Sequence, residues 1–322
     1  MCVRPMKGFW TGYLTDSGKK DLILCRGLSN ELSTDKVHRP ISLTNAPHVL
    51  KNGHAYLVDP IDVPCGTCVQ CRMERAKEWK IRNCLELQHH KVAWFLTLTY
   101  DDAHLPIDEN GQPFLKRRDI QLFLKRLRKF GKIRYFGCGE YGDNTARPHY
   151  HLLIYGMDFP LTCVRFNGYT SPVLEKTWKL GSHLLEPVSP GSIAYVCGYV
   201  EKKQKVDLDS YPVRPFVFMS TKPGIGMEYF ENHKEDLEKS FKVYGIFGNE
   251  RVSAAKVPRA FKKKLEGVSW YDALKDYNLK VLPKRILATK MAVYSTSNLN
   301  TIHDVEEEGA LSRLAKTRKV SL

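Results

Sequence analysis

Hydrophobic residues in the middle of the chain follow a strand-like pattern three times. The run "VAWFLTLTY", Val92 to Tyr100, is β-branched and aromatic and ends in the polar loop "DDAHLP". The runs "IRYFGCGEY" and "HYHLLIYG" have the same character, and the turn-forming stretch "YGDNTARP" separates them. Such runs between turn signals are typical of strands. The pattern therefore predicts three strands, of which the last two form a hairpin.

Between the first two strands the period changes to that of a helix. The apolar residues at helical spacing are Ile120, Phe123, Leu124 and Leu127. We expect Asp119 to cap the start of this helix and Gly131 its end. Helical patterns also cover about Arg72 to His90, "SIAYVCGYVEKKQK" and "EYFENHKEDLEKSF", while "KPGIG" indicates a turn.

The order strand, helix, strand, turn, strand, helix corresponds to most of a split βαβ, ferredoxin-like unit. We therefore expect an α+β protein built on an antiparallel sheet. Residues 1–90 are expected to form an N-terminal segment of strands and loops, a cysteine cluster and a helix. Residues 91–205 are expected to form the core, and residues 206–322 a basic, mainly helical accessory region.

The charge of the chain points to a polyanionic partner. Fifty Lys and Arg residues face 35 Asp and Glu residues, a formal net charge of +15. Self-repulsion of that size favours nucleic acid as the partner. An anionic membrane surface is the alternative, but no apolar run has the length of a spanning helix. The start "MCVRPMKGFW" lacks the apolar core of a signal peptide, so we expect a reducing cytoplasm and no membrane partner.

His149 and His151 are a candidate metal site. Residues two apart in a strand point to the same face, so both imidazoles project together. Glu140 lies on the partner strand of the hairpin and can supply an oxygen ligand. The alternative is a hydrogen-bonded histidine pair on a half-buried strand. Other acidic or imidazole groups that can serve as the third ligand are Asp101, Asp102, His104 and, less favourably, Asp143 in the turn.

Tyr195 and Tyr199 are candidate nucleophiles. They are four residues apart, so a helix places both on one face, and Lys202 and Lys203 follow one turn later. A tyrosine hydroxyl can attack a phosphodiester, and a nearby lysine can favour the phenolate or neutralise the phosphate. The alternative is that these aromatic residues belong to the core.

Cys65, Cys68 and Cys71 form a C-x2-C-x2-C motif, which presents three thiols to a structural zinc ion. The fourth ligand is left open among Cys2, Cys25, Cys84, His54, His89 and His90. An iron–sulfur site and three plain thiols are the alternatives.

Two basic segments interleave cations with aromatic residues, "LKRRDIQLFLKRLRKFGKIR" and "KVPRAFKKKLE". This composition suits contact with a nucleic-acid backbone and stacking on its bases. The expected DNA-binding residues are Lys125, Arg128, Lys129, Lys203, Lys262 and Lys263. For any one segment, a solvated helix face is the alternative.

Together these motifs resemble the HUH endonucleases. "PHYHLL" fills the His-hydrophobic-His position, "FLTLTY" resembles the strand motif before it, and "YVCGYVEK" resembles the two-tyrosine motif of rolling-circle initiators. The series "VPCGTCVQCR", "FLTLTYDD", "CGEYGD", "RPHYHLLIYG", "YVCGYVEKK" and "KPGIG" is similar to the replication initiation proteins of gokushovirus-type microviruses. The resemblance covers about Cys65 to Gly226, and it favours Cys2 as the fourth zinc ligand.

The resemblance implies that His149, His151 and an acidic residue hold Mg²⁺ or Mn²⁺. It further implies that Tyr195 or Tyr199 attacks single-stranded origin DNA, leaves a 5′-phosphotyrosyl link and later permits rejoining of unit circles. The chain shows no Walker A pattern, so no nucleotide cofactor is expected, and a host helicase and polymerase are expected partners. The alternatives are a plasmid initiator, relaxase or transposase of the same superfamily, or a non-enzymatic zinc-containing DNA-packaging protein.

Overall fold

The computed structural model describes residues 2, 4–25, 32–33, 40–142, 145–165, 168–202, 211–247 and 251–276, with a few isolated positions between 284 and 311. The chain divides into two compact units. The first comprises Met1–Arg72 and Glu266–Leu322, and the second comprises Met73–Leu265. No helix in the described part of the chain has both the length and the apolar character needed to cross a membrane.

The first unit contains two small antiparallel sheets. Its strands are β1 (Met6–Leu14), β2 (Lys20–Cys25), β3 (Leu32–Ser33), β4 (His48–Lys51), β5 (His54–Leu57) and β6 (Ile61–Val63). They pair in the orders β2-β1-β6 and β3-β5-β4. Among the described residues of this unit, a hydrophobic core cluster contains the buried residues Phe9, Ala46 and Leu57.

The second unit is built on a seven-stranded sheet with the order β10-β11-β12-β7-β9-β8-β13. Its strands are β7 (Ala93–Thr99), β8 (Arg134–Tyr141), β9 (Pro148–Tyr155), β10 (Cys163–Arg165), β11 (Gly168–Thr170), β12 (His183–Pro187) and β13 (Phe216–Met219). A separate hairpin consists of β14 (Lys242–Ile246) and β15 (Val252–Lys256). All described pairs in this unit are antiparallel, which confirms the α+β class.

Eight helices accompany the sheets in the described part of the chain. They are α1 (Val69–Leu87), α2 (Arg117–Leu127), α3 (Pro172–Thr177), α4 (Pro190–Lys202), α5 (Met227–Asn232), α6 (Lys234–Ser240), α7 (Arg259–Lys264) and α8 (Ser269–Asp276). The three central strands and the helices around them lie where the hydrophobic pattern predicts them. The described residues after 210 alternate short helices with strands, so this region is more mixed than the mainly helical expectation.

The two faces of the seven-stranded sheet carry different layers. Alternate residues of β7 and β9, such as Leu96 and Leu152, form one core with the apolar residues of α2 and α3. The residues between them, such as Phe95 and Leu153, form a second core with α1 and α4. Because side chains alternate along a strand, the histidines at 149 and 151 project towards the layer that contains α4.

Glycines in β8 make room for large rings on the α2 face. A Cβ atom at Gly139 would lie 3.1 Å from the ring of Tyr150, and a Cβ atom at Gly137 would lie 2.8 Å from the ring of Phe218. Tyr150 is fully buried. The "GCGEY" stretch therefore packs aromatic side chains on one face and keeps Glu140 on the other.

Three details of the helices differ from the sequence prediction. Gly131 does not cap α2, because the helix already ends at Leu127, with Arg128 as its C-cap. Asp119 does not cap α2, because the helix begins earlier, at Arg117, and the Asp119 carboxylate accepts a hydrogen bond from the Tyr100 hydroxyl at 3.0 Å. The single helix expected over "EYFENHKEDLEKSF" is broken into α5 and α6 at His233, whose ring stacks on Tyr229.

Candidate active site

Adjacent strands bring together the two histidines and the glutamate. In the antiparallel pair of β8 and β9, Glu140 lies directly opposite His149, and Cys138 lies opposite His151. Glu140, His149 and His151 offer ligand atoms that all lie within 4.8 Å of one another. Glu140 and His151 are buried, whereas His149 is half-buried. The hairpin register therefore builds a compact cluster whose most accessible member is His149.

A single carboxylate oxygen faces both imidazoles. Oε1 of Glu140 lies 3.0 Å from Nε2 of His149 and 3.1 Å from Nε2 of His151. Nδ1 of His149 lies 3.0 Å from the carbonyl oxygen of Arg147. A carbonyl can only accept, so this nitrogen carries the hydrogen and Nε2 of a neutral ring keeps its lone pair. Without a bound ion, Nε2 of His149 donates a hydrogen bond to this carboxylate oxygen when the ring is charged. In the neutral ring the Nε2 lone pair and the carboxylate oxygen are both available to a cation.

Thr97 is a functional candidate that the sequence did not reveal. Its Oγ1 lies 3.0 Å from Nδ1 of His151, and the two residues are directly paired across β7 and β9. This contact allows Nδ1 of His151 to donate to the hydroxyl, which leaves Nε2 free to act as a ligand. The signal in the sequence was the polar residue inside "FLTLTY", but its partner depends on strand register.

The cluster favours an ionised carboxylate and a neutral imidazole. Burial lowers the pKa of His151, although the neighbouring Glu140 opposes that shift. Burial acts to raise the pKa of the Glu140 carboxyl, but its contacts with His149 and His151 outweigh that effect and hold the pKa below its ordinary value. These are the protonation states that metal ligands require.

The donor set fits a divalent cation. Nε2 of His151 is buried and has no hydrogen-bond partner among the described residues, because its 3.1 Å contact with Glu140 lacks hydrogen-bond geometry. A buried nitrogen without a partner is costly unless something binds it. Two imidazoles and one carboxylate also leave open coordination positions for a substrate oxygen. Metal binding itself stays a prediction.

Helix α4 places both tyrosines against the same cluster. The ring of Tyr195 meets His151 edge-on, with centroids 5.2 Å apart, and the ring of Tyr199 stacks on His151 at 6.1 Å. The two tyrosine rings are 5.0 Å apart. Phe95 lies under this group and stacks on His151 at 5.4 Å. Two phenols and a metal-type cluster, separate in the chain, thus share one face of the sheet.

The two tyrosines occupy different environments. Tyr195 is 43% exposed, whereas Tyr199 is only 8% exposed. Burial raises the pKa of Tyr199, and the negative charge of Glu140 acts in the same direction. Ionising Tyr199 is therefore costly in this conformation, and Tyr195 holds the position that a substrate can reach.

The other residues considered as third ligands lie elsewhere. Nδ1 of His104 contacts Oδ1 of Asp101 at 2.7 Å, and Asp102 forms an ion pair with Arg147. Neither Asp101 nor Asp102 joins the histidine cluster within the described part of the chain. Asp143 lies outside the described residues.

Several of the expected basic residues are not next to the cluster. Lys125, Arg128 and Lys129 are exposed, but they belong to α2 and the turn after it, and α2 packs on the opposite face of the sheet. Their contact with DNA stays a prediction.

Four further lysines complete the predicted set. Lys262 lies over the ring of Phe241, and Lys263 is exposed. Lys202 ends α4, but the structure describes only its backbone, and Lys203 lies outside the described residues. The predicted roles of these lysines are not tested by the geometry.

The cysteine motif has a fourth member in the first unit. The thiols of Cys2, Cys65, Cys68 and Cys71 all lie within 4.8 Å of one another. Of the other candidates for the fourth ligand, Cys84 is buried in the α1–α4 core, and His90 contacts Glu86 at 3.2 Å. Cys2 is therefore the residue that the fold brings to the motif.

Comparisons with known proteins identify the family of this chain. A family model for the replication-associated protein ORF2 matches residues 93–204, which contain both histidines, Glu140 and both tyrosines. The replication-associated protein ORF2 of Spiroplasma virus 4 is 32% identical over 280 residues, covering 81% of this chain and 85% of the relative. No solved structure matches the chain.

Two further relatives match over shorter stretches. The replication-associated protein ORF4 of Chlamydia phage 1 is 29% identical over 70% of this chain and 59% of its own length. The replication-associated protein VP4 of Bdellovibrio phage phiMH2K is 34% identical over 53% of this chain and 58% of its own length. The class defined by these matches is the replication-associated proteins of phages. Within it, the chain belongs to the replication initiator family of the microviruses.

Proposed function

We propose that this chain is an HUH-type endonuclease and strand transferase that starts rolling-circle replication by nicking single-stranded origin DNA. The observation that carries the proposal is the contact of Tyr195 and Tyr199 with His151. A nucleophile beside a metal-type cluster is the arrangement that phosphoryl transfer to a side chain requires.

The strand order supports an HUH-like architecture. In chain order β7 is followed by α2, β8 and β9, and β12 comes after the short strands β10 and β11 and the helix α3. These four strands pair in the order β12-β7-β9-β8. This fourth-first-third-second order is that of a ferredoxin-like sheet. Two helices cover one face, and the helix with the tyrosines lies on the other.

Glu140, His149 and His151 would hold the Mg²⁺ or Mn²⁺ ion. When bound, such an ion withdraws charge from the scissile phosphate and stabilises the leaving oxygen. Phe95 stacks on the ring of His151, and the Thr97 hydroxyl contacts its Nδ1; both contacts hold the ring in place. The chain itself therefore supplies a rigid ligand set on strands rather than on loops, which favours accurate positioning.

The tyrosine supplies the covalent step. Its oxygen forms a bond to phosphorus while the bond from phosphorus to the 3′ oxygen breaks. The phenol proton is released to solvent, and the 3′ oxygen leaves as a hydroxyl after taking up a proton. The product is a 5′-phosphotyrosyl link and a 3′ end that can prime synthesis. Tyr195 makes this first attack, because it is exposed while Tyr199 is buried and has a raised pKa.

The second tyrosine serves the end of the cycle. Tyr199 lies 5.0 Å from Tyr195, ring to ring, so a modest movement of α4 can exchange their positions at the cluster. Tyr199 then cleaves the regenerated origin in the same way. The new 3′ hydroxyl attacks the phosphorus of the first link and loses its proton to solvent, while the bond from phosphorus to the Tyr195 oxygen breaks. This step closes a unit circle, and the released Tyr195 oxygen takes up a proton. A host helicase and polymerase supply unwinding and synthesis, in the cytoplasm of an infected bacterium.

The test is covalent capture of DNA. The purified chain is incubated with Mn²⁺ and circular single-stranded DNA of the genome that encodes it, and adducts are separated on a denaturing gel. We expect an adduct with the wild type and none with the double change Tyr195→Phe and Tyr199→Phe. Tyr195→Phe should slow the first adduct more than Tyr199→Phe does.

Tyr244→Phe is the matched control, since Tyr244 is about as exposed as Tyr195, at 41%, and lies in β14. It should form the adduct at the wild-type rate. His149→Ala should remove cleavage but keep salt-sensitive DNA binding. Salt-sensitive binding without any adduct in the wild type would instead indicate a packaging protein.

A further inference from the structure

A group of four thiols lies in the first unit, apart from the proposed nucleolytic residues. Sγ of Cys2 is 3.5 Å from Sγ of Cys65 and 3.8 Å from Sγ of Cys68. Sγ of Cys65 is 4.0 Å from Sγ of Cys71. These cysteines are all free and half-buried. None of the measured distances is that of a disulfide, which is about 2.05 Å.

The local backbone brings three of these thiols together. Gly66 has φ 76°, a left-handed conformation that glycine adopts without strain, and it turns the chain between Cys65 and Cys68. The carbonyl of Cys68 accepts a hydrogen bond from the backbone N–H of Arg72, which starts α1. Cys71 is thereby carried on the first turn of the helix, facing the loop.

Backbone donors point at the sulfur atoms. The N–H of Cys68 donates to Sγ of Cys65 at 3.3 Å, and the N–H of Cys65 donates to Sγ of Cys2 at 3.4 Å. The hydroxyl of Thr67 also donates to Sγ of Cys65. Hydrogen bonds of this kind stabilise the negative charge of thiolates. The loop is thus arranged for anionic sulfur.

The spacing selects a single small ion. Four sulfurs at the zinc–sulfur distance of about 2.3 Å, arranged as a tetrahedron, lie about 3.8 Å from one another. Three of the six sulfur–sulfur separations, at 3.5, 3.8 and 4.0 Å, bracket this value, and all four sulfurs lie within 4.8 Å of one another. A multi-iron cluster binds its cysteines to different irons and therefore needs a wider cage.

We propose that Cys2, Cys65, Cys68 and Cys71 bind one structural zinc ion. Four protein ligands close the coordination shell, so the site is structural and does not take part in the chemistry of DNA cleavage. It ties residue 2 to a turn more than sixty residues later in the same unit. Because such a site forms only in the folded chain, metal binding contributes to the folding energy of this unit.

Metal analysis of the full-length chain is the experiment. After dialysis against EDTA, which strips weakly bound ions, we expect about one zinc per chain by mass spectrometry of the elements. Growth with Co²⁺ in place of zinc should give the thiolate-to-cobalt charge-transfer absorption of a tetrahedral four-sulfur site. A histidine and carboxylate site does not give that absorption, so the spectrum separates this cluster from the one at Glu140.

Cys68→Ser should lower the zinc content to less than about a tenth and remove the cobalt–thiolate band. The matched control is Cys25→Ser, because Cys25 is also free and half-buried in the first unit but lies outside the cluster; it should keep one zinc. If Cys68→Ser fails to fold, titration of the wild type with a mercurial reagent should release one zinc as four thiols react.

Three results would overturn the proposal: a zinc-free wild type with four freely reacting thiols, iron in place of zinc, or full zinc retention by Cys68→Ser. None of these readouts depends on DNA cleavage. A wild type that holds zinc but forms no adduct therefore contradicts only the nuclease proposal.

Discussion

Two buried glutamates are associated with strand β8: one contacts it from helix α1 and the other belongs to it. Their surroundings differ. Glu86 of α1 is 1% exposed and contacts Arg134 at the start of β8, whereas Glu140 near the end of β8 is 6% exposed. Both residues lie on the α1–α4 side of the sheet. The comparison separates a carboxylate that holds the fold together from one that is available to bind something else.

Glu86 has a full set of donors. Arg134 donates to both of its carboxylate oxygens, the backbone N–H of Gly226 donates at 2.6 Å, and Nε2 of His90 lies at 3.2 Å. Burial acts to raise the pKa of Glu86, but these donors outweigh it and lower the pKa to about 2. The guanidinium of Arg134 also reaches the carbonyls of Pro223 and Gly224. Groups of the chain itself therefore satisfy Glu86 and Arg134, and no added ion is needed.

Glu140 faces two imidazoles instead, and within the described part of the chain it forms no ion pair with an arginine or a lysine. One of those rings leaves a buried nitrogen without a hydrogen-bond partner among the described residues. The difference teaches that burial of a carboxylate is not itself a functional signal. The signal is a buried carboxylate whose neighbours are titratable imidazoles, themselves possible metal ligands, rather than a fixed positive charge.

The largest expected effect is on the Glu86 network. Glu86→Gln leaves the Arg134 guanidinium without its counter-charge, and breaking a buried pair in this way costs about 3–5 kcal/mol. We expect the free energy of unfolding, measured with urea, to fall by that amount. Glu78→Gln on the same helix is the control, because a glutamine oxygen can still accept the backbone N–H of Arg259 that Glu78 accepts.

The same variant predicts a difference in acid stability. A carboxyl whose folded pKa lies near 2, below its ordinary 4.5, contributes stability that is present above pH 4.5 and is lost as the pH falls towards 2. The wild type should therefore lose stability across that window, and Glu86→Gln should lose less. If the free energy of unfolding of the two proteins changed with pH in parallel, Glu86 would not be the source of the acid sensitivity.

Glu140→Gln should weaken metal binding strongly and change stability little, in contrast to Glu86→Gln. Changing a residue that only orients a ligand already costs about 10–100-fold in metal affinity. Because Glu140 is proposed as a ligand itself, we expect the affinity for Mn²⁺, measured by electron paramagnetic resonance, to fall by at least about 100-fold. The metal-free protein should change its free energy of unfolding by less than about 1 kcal/mol, since no fixed cation loses its partner. A stability loss as large as that of Glu86→Gln would mean that the two carboxylates are equivalent.

A smaller effect is expected at Thr97. Thr97→Val keeps the shape of the side chain but removes the hydroxyl that contacts Nδ1 of His151. Loss of such an orienting partner weakens metal affinity about 10-fold. Thr97→Ser should restore the wild-type affinity, because it returns the hydroxyl. Equal losses in both variants would point to packing rather than to orientation of the ring.

Much of this site could be predicted from the sequence because its parts are local. The same-face placement of His149 and His151 follows from strand geometry, and the position of Glu140 follows from a short hairpin turn. The paired tyrosines follow from helical spacing. Each inference needed only residues close together in the chain.

The rest depends on contacts between distant segments. The pairing of β7 with β9 sets the contact of Thr97 with His151, and no local pattern encodes that register. Lys125 lies away from the histidine cluster because α2 packs on the opposite face of the sheet. The cap predicted at Asp119 failed for the same reason, since a tertiary partner, Tyr100, takes the carboxylate.

The smallest expected effect compares Gly198 of α4 with Gly226, whose backbone N–H donates to Glu86. A Cβ atom at Gly198, between the tyrosines, would meet nothing within 4 Å, whereas Gly226 has φ +74° and a Cβ atom there would lie 2.8 Å from the carbonyl oxygen of Arg82. Gly198→Ala should raise the free energy of unfolding by about 0.5–1 kcal/mol, because alanine favours the helix. Gly226→Ala should lower it, since the backbone there is strained for alanine. Urea unfolding of both variants measures the difference. Destabilisation by Gly198→Ala would show that the space beside Gly198 cannot take a methyl group.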